Sequence, residues 1–382
     1  APPPPPPPPV PVPPPPAPPA PPPAPSTPNE PASFFQSLRA AGVVRQPSWN
    51  QSFHTCISTI KMAAFFGPRN INRMRMITDH AIPRGILPKN MSISEIEFSN
   101  KVTGEWYSPL AGGPRPMQRV VLFLHGGAFV LCNPGTHRYL LMTLATLCEA
   151  RILSVDYRRP PENPFPAALE DAVAAYDWLT KPHGPNISPS KIVLAGDSAG
   201  GGLVVSLLCF LRDRAIAAGE PPRLPSAGIM MSPWVDLSDT TSETWTMNAP
   251  IDFLPVDLAK ICAGAYVGEG DARDPRISPL YADLSGLPPL MIEFGEAEVL
   301  ASQILSFADA ACRAGVDVTC TGVPEMVHVF QIFEVLASKS NRGPRASLAR
   351  IGAFVKAMTP PSWPPPPLSR RVAAGAASEA EA

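Results

Sequence analysis

No stretch of the 382-residue chain approaches the roughly 20 consecutive apolar residues that a bilayer-spanning helix requires. Charge of either sign is scarce: 31 Lys and Arg stand against 32 Asp and Glu, and only 16% of residues are charged. The resulting net charge of −1 removes any electrostatic argument for a nucleic-acid or anionic-membrane partner. Cysteine is sparse and odd in number. The seven cysteines at 56, 132, 148, 209, 262, 312 and 320 lack C-x-x-C spacing. They do not read as a disulfide framework, and reduced thiols in a cytoplasmic compartment are expected. There is no H-E-x-x-H and no Cys/His pairing, so no metal is expected. Gly200-Gly201-Gly202 fits neither G-x-G-x-x-G nor a P-loop, so no nucleotide cofactor is expected either.

Proline is abundant instead. Of the 54 prolines, 21 fall within residues 1–31. Such a stretch cannot build helix or sheet ladders and should populate polyproline II. It lacks the basic start and apolar helical core of a signal peptide. We expect a disordered, solvated tail; docking to an SH3, WW, EVH1 or profilin-type partner is the sharper alternative. Residues 359–382 read as a second disordered tail, Pro-rich and then Ala/Glu-rich.

Residues 32–90 look helical. Phe53, Ile57, Ile60 and Ala64 fall at helical spacing, which reads as a packed helix, with peripheral membrane association as the alternative. From residue 92 the pattern alternates. Strands are expected at 92–98, 102–108, 119–124, 151–156, 191–196, 226–232, 289–294 and 316–321. Helices are expected at 136–149, 166–180, 200–214, 255–266, 301–314 and 329–357, the last interrupted near Gly343-Pro344. Strand–helix alternation after residue 119 implies a mostly parallel, eight-stranded α/β sheet with helices on both faces. Strand C-terminal ends then share one edge, where open α/β sheets place their sites.

The chemistry-bearing residues sit at those ends. Gly196-Asp197-Ser198-Ala199-Gly200 fits G-x-S-x-G, a strand–turn–helix elbow that exposes a serine hydroxyl. Upstream, the apolar run Val120–Leu124 leads into His125-Gly126-Gly127-Ala128. Acyl transfer builds negative charge on the former carbonyl oxygen, and pre-aimed backbone N–H groups stabilise it. Gly126, Gly127 and Ala199 are the expected donors of such an oxyanion hole. A serine alcohol also needs a base near neutrality. His328 is the only histidine after the elbow, and it follows a strand pattern. The imidazolium needs an orienting carboxylate. Glu296 and Glu298, both after the strand pattern 289–294, are the candidates. Asp197 reads as structural, tying the elbow to neighbouring backbone. Tyr157 reads either as a support for the elbow or as packing.

Together these stretches resemble the hormone-sensitive-lipase-like family of α/β-hydrolase fold esterases and lipases. Further matches are Val155-Asp156-Tyr157-Arg158-Arg159-Pro160-Pro161-Glu162-Asn163-Pro164-Phe165-Pro166-Ala167-Ala168, Ser232-Pro233-Trp234-Val235-Asp236-Leu237, Asp274-Pro275-Arg276-Ile277-Ser278-Pro279-Leu280 and Met326-Val327-His328-Val329-Phe330. The resemblance covers roughly residues 90 to 357. It implies a catalytic domain at 91–358, a cap built from 32–90 and an insertion at about 236–270, and a Ser198, Glu298, His328 triad. Two departures stand out. Ala128 occupies a position that is usually glycine, and Glu298 one that is usually aspartate; Glu298 is preferred because it keeps the spacing to Leu300.

The expected function is hydrolysis of short- to medium-chain carboxylic esters through an acyl-enzyme. The alternatives are amide, lactone or carbamate hydrolysis by the same residues, a non-catalytic small-molecule binder of the same fold, and an adaptor working through its proline tail. A small-molecule ester is the expected partner; the oligomeric state stays open, a homodimer included.

Overall fold

A computed structural model describes residues 42–67, 69–81, 89–98, 102–110, 119–338 and 342–360. The proline-rich tail at 1–31 and nearly all of the tail at 359–382 lie outside the described residues. Eight strands form one sheet: β1 (Met91–Phe98), β2 (Val102–Pro109), β3 (Val120–Leu124), β4 (Arg151–Asp156), β5 (Ile192–Asp197), β6 (Ala227–Met231), β7 (Leu290–Gly295) and β8 (Val318–Val323). Their order is β1-β2-β4-β3-β5-β6-β7-β8. β1 and β2 pair antiparallel, as do β2 and β4; every pairing from β4 through β8 is parallel.

Successive side chains of a strand point to opposite faces, so an apolar run buried on both sides splits between two cores. In β3, Val120, Leu122 and Leu124 join one cluster, and Val121 and Phe123 the other. The first cluster packs against α4 (Ala167–Thr180), α5 (Ala199–Ala217) and α8 (Ala301–Arg313). The second packs against α3 (Arg138–Cys148) and α9 (Gly343–Met358).

Upstream of the sheet lie α1 (Gln51–Phe66) and α2 (Ile71–Ala81). Phe53 and Ile57 of α1 are fully buried, and they join Trp49, Met326, Val327, Phe330 and Phe333 in a third core. The expected packed helix is thus present, and its contact is with the segment around His328. Residues 236–270 hold a short helix that the pattern missed, α6 (Glu243–Met247), and α7 (Val256–Val267). Among the described residues, no helix is long and apolar enough to cross a membrane.

Several expected boundaries shift, α5 running to Ala217 rather than 214 among them, and two differences have a local cause. The stretch after His328 is not α-helix: Phe330–Leu336 forms short 3-10 turns broken at Phe333, whose φ of −95° and ψ of 17° are non-helical. β8 begins two residues later than expected, because the Val316 N–H caps α8 by binding the Ala311 carbonyl.

Candidate active site

β5 runs directly into α5, and Ser198 is the junction. Its φ of 52° and ψ of −122° are costly for a residue with a Cβ, and the surroundings must hold it there. Its N–H donates to the Met231 carbonyl at 2.8 Å, and its carbonyl accepts from Trp234 N–H at 2.9 Å. Close packing makes the flanking glycines obligatory: a Cβ on Gly196 would lie 2.5 Å from the Gly200 carbonyl oxygen, and one on Gly200 would overlap the Leu124 carbonyl.

The elbow aims the hydroxyl at a histidine 130 positions away. His328 Nε2 lies 2.8 Å from Ser198 Oγ. His328 Nδ1 lies 3.2 Å from Glu298 Oε1. The second oxygen of Glu298 accepts from Ser232 Oγ at 2.6 Å and from Gly295 N–H at 2.8 Å. All three site residues are buried, Glu298 completely. Glu296 is exposed, so of the two candidate acids Glu298 is the one that meets the imidazole. Burial by itself lowers the proton affinity of His328. The Glu298 hydrogen bond and charge, with the charges of Asp252 and Asp197, outweigh it and hold the pKa above the usual histidine value.

The glycine-rich loop after β3 packs beside the elbow. Here the expected donor set changes. Gly126 N–H donates to Asp197 Oδ1 at 2.9 Å, so it is already occupied and is not free to meet an oxyanion. The N–H groups of Gly127, Ala128 and Ala199 have no acceptor among the described residues. Gly127 and Ala128 both take positive φ, 112° and 53°. The methyl group at 128 thus sits in a backbone conformation that favours glycine.

Asp197 ties the elbow to the loop, as its sequence reading holds, and it has a second partner that the sequence did not disclose. His137, buried ahead of α3, lies 3.2 Å from Asp197 Oδ1. Burial opposes charge on both groups, yet their mutual attraction wins: the His137 pKa is raised and that of Asp197 lowered. His125 differs. Burial and the neighbouring His137 charge lower its pKa to about 3, so it is neutral. Tyr157 does not brace the elbow itself. It stacks on His125 at 4.2 Å and donates to the His125 carbonyl at 2.6 Å, which fixes the end of β3.

Ser232 and Asp252 are further site neighbours that motif reading missed. Ser232 has a left-handed φ of 49° at the end of β6, a hint visible only in the backbone. Asp252 lies in the segment between α6 and α7 and binds the backbone beside both Glu298 and His328. In the same region Trp234 and Trp245 are buried, while Phe253 brings its ring centroid to 6.1 Å from that of His328.

Comparison with known proteins agrees with this fold. Residues 121–332 match the family described as the α/β-hydrolase fold. The chain is 40% identical over 257 residues to an acetyl-hydrolase of Streptomyces hygroscopicus, covering 67% of this chain and 80% of that protein. It is 32% identical over 243 residues to an esterase of Acinetobacter venetianus, covering 63% of this chain and 75% of that one. Among solved structures, an esterase of the bacterial hormone-sensitive lipase family superposes with a TM-score of 0.72 at 36% identity, over 83% of this chain and all of that one. The chain belongs to the hormone-sensitive-lipase-like esterases of the α/β-hydrolase fold, enzymes of the serine-hydrolase type.

Proposed function

We propose that the protein hydrolyses carboxylic esters of short to medium acyl chain length through an acyl-enzyme on Ser198. The observation that carries this reading is the continuous chain of contacts Ser198 Oγ–His328 Nε2–Glu298, at 2.8 Å and 3.2 Å. In this reading His328 takes the Ser198 proton as Oγ attacks the ester carbonyl. Glu298 holds the imidazole tautomer and stabilises the imidazolium that forms. The oxyanion rests on the N–H groups of Gly127 and Ala199, with Ala128 as the third donor in place of Gly126. Ala199 opens the 19-residue helix α5, whose N-terminal partial positive charge adds to the same stabilisation. His328 then returns its proton to the departing alcohol. Water, deprotonated by His328, finally splits the acyl-enzyme.

The N-terminal helices and the 236–270 insertion form a cap in this reading. Phe253 beside His328 and the core joining α1 to the base-bearing segment support it. A covered site favours small, soluble esters over emulsified fat, and the acetyl-hydrolase name of one relative points the same way. The seven free thiols favour a reducing compartment such as the cytoplasm.

The test is a panel of p-nitrophenyl esters from acetyl to palmitoyl, with wild type and Ser198→Ala side by side. Wild type should peak at short to medium chains, and the variant should fold but lose the activity. Substantial hydrolysis by Ser198→Ala removes Ser198 from its role; a maximum at palmitoyl removes the chain-length reading.

A further inference from the structure

Asp252 is a buried carboxylate that the proposed chemistry leaves unused. It is 1% exposed, in the segment between α6 and α7. Oδ1 accepts the N–H groups of Phe253 at 2.8 Å and His328 at 3.2 Å; Oδ2 accepts the N–H of Val299 at 2.9 Å. Two of these three donors belong to the loops that carry the proposed base and acid. We propose that Asp252 is a positioning residue for ester hydrolysis: it locks the His328 and Glu298 loops together through their backbones and sets its carboxylate beside the base. This deepens the reading of the site given above and rests on it.

The residue type matters. A carboxylate accepts on both oxygens, whereas an amide turned toward His328 would present its NH2 to the Val299 N–H. Burying a carboxylate close to a second one is unfavourable unless both are bonded. The groups facing Asp252 are His328 and Glu298 from the two loops and Lys61 from α1. Lys61 is itself buried, and its Nζ donates to the carbonyls of Gly42 at 3.2 Å and Ala249 at 2.5 Å. Helix α1 thereby reaches the base through residues 249–252. Burial pushes the Asp252 carboxyl up to about 6, with His328 pulling it down and Glu298 pushing it further up. The charge of Asp252 in turn helps raise His328.

The experiment compares full-length wild type, Asp252→Asn and Ser198→Ala on p-nitrophenyl butyrate, with kcat and KM followed across pH. For Asp252→Asn, kcat should fall by about tenfold to a hundredfold with little change in KM. The acid-side midpoint of kcat/KM should move to lower pH, since the neutral side chain no longer raises His328. A residue that only stabilises the fold would lower the unfolding temperature and leave the midpoint where it was. An unmoved midpoint therefore overturns the proposal, whatever the rate. If Asp252→Asn does not fold, Asp252→Glu keeps the charge and shifts the oxygens by one methylene. It should lower kcat while retaining the midpoint, and a wild-type kcat overturns the proposal. Ser198→Ala separates the two levels. If it is active, the whole reading of the site fails; if it is inactive and Asp252→Asn matches wild type, only the positioning role fails.

Discussion

Ser232 Oγ donates to Glu298 Oε2 at 2.6 Å and accepts the Val329 N–H at 3.0 Å. One hydroxyl at the end of β6 thus ties the carboxylate after β7 to the residue that follows His328. The site is assembled from loops of five strands, and small polar groups of this kind set its geometry. Ser232→Ala removes both bonds and leaves Glu298 buried with one donor fewer. We expect stability to fall by about 1–3 kcal/mol and kcat by about tenfold, read by denaturant unfolding and by rates normalised to titrated active sites. Wild-type values for both would show that Gly295 and His328 alone suffice to hold Glu298.

Glu298→Gln should cost at least about a hundredfold in kcat/KM, because an amide can stabilise the wrong imidazole tautomer and carries no charge to balance the imidazolium. Glu296→Gln should stay close to wild type, since its side chain is exposed and away from His328. Parallel assays of the two variants check this; equal losses, or the reverse order, contradict the assignment.

The base must be neutral to accept the serine proton. His328 has a pKa raised above the ordinary histidine value, its carboxylate partners outweighing burial. Activity should therefore fall as pH drops through a midpoint above about 6.5, the unperturbed histidine value. A kcat/KM profile read down to acidic pH checks this; full activity well below that value contradicts it.

His137 and Asp197 form a buried ion pair behind the elbow. The folded pKa of His137 is raised, so its contribution is complete below the unfolded histidine value and is lost as pH rises through the folded one. The folded pKa of Asp197 is lowered, so its contribution is present above the unfolded aspartate value and is lost as pH falls through the folded one. Both are complete between about pH 4 and 6.5. His137→Ala should destabilise by about 3–5 kcal/mol in that window, because it leaves Asp197 buried and unpaired. The loss should shrink at higher pH, where wild type loses the His137 charge as well. Unfolding curves of both proteins across pH measure this, and a pH-independent difference contradicts it.

Much of the molecule was legible in the chain because the sheet is buried on both faces. Runs such as Val120–Leu124 and Leu290–Phe294 carry no alternation and lead into His125-Gly126 and Gly295, so the strands and their C-terminal ends stand out. Ser198, Glu298 and His328 each follow such an end, and for that reason a reading of the sequence singles them out. The misreadings concern backbone. That Gly126 spends its N–H on Asp197 depends on the local path of a loop whose residues take positive φ, which residue types alone do not specify. The partners of buried polar groups were equally hidden. His137 and Asp197 are 60 positions apart, and Ser232 and Glu298 66 apart; only folding brings them together. The 3-10 turns within Phe330–Leu336 share their apolar spacing with an α-helix, and the break at Phe333 is visible only in the backbone.

Ser198 Oγ, 2.8 Å from His328 Nε2, is the proposed nucleophile that carries the covalent intermediate. Incubation with a p-nitrophenyl organophosphate, followed by peptide mapping in the mass spectrometer, tests it most directly. One phosphoryl adduct per chain, located on Ser198 and rising in step with the loss of esterase activity, is the predicted result. An adduct on another residue, or full activity with Ser198 modified, would contradict the account.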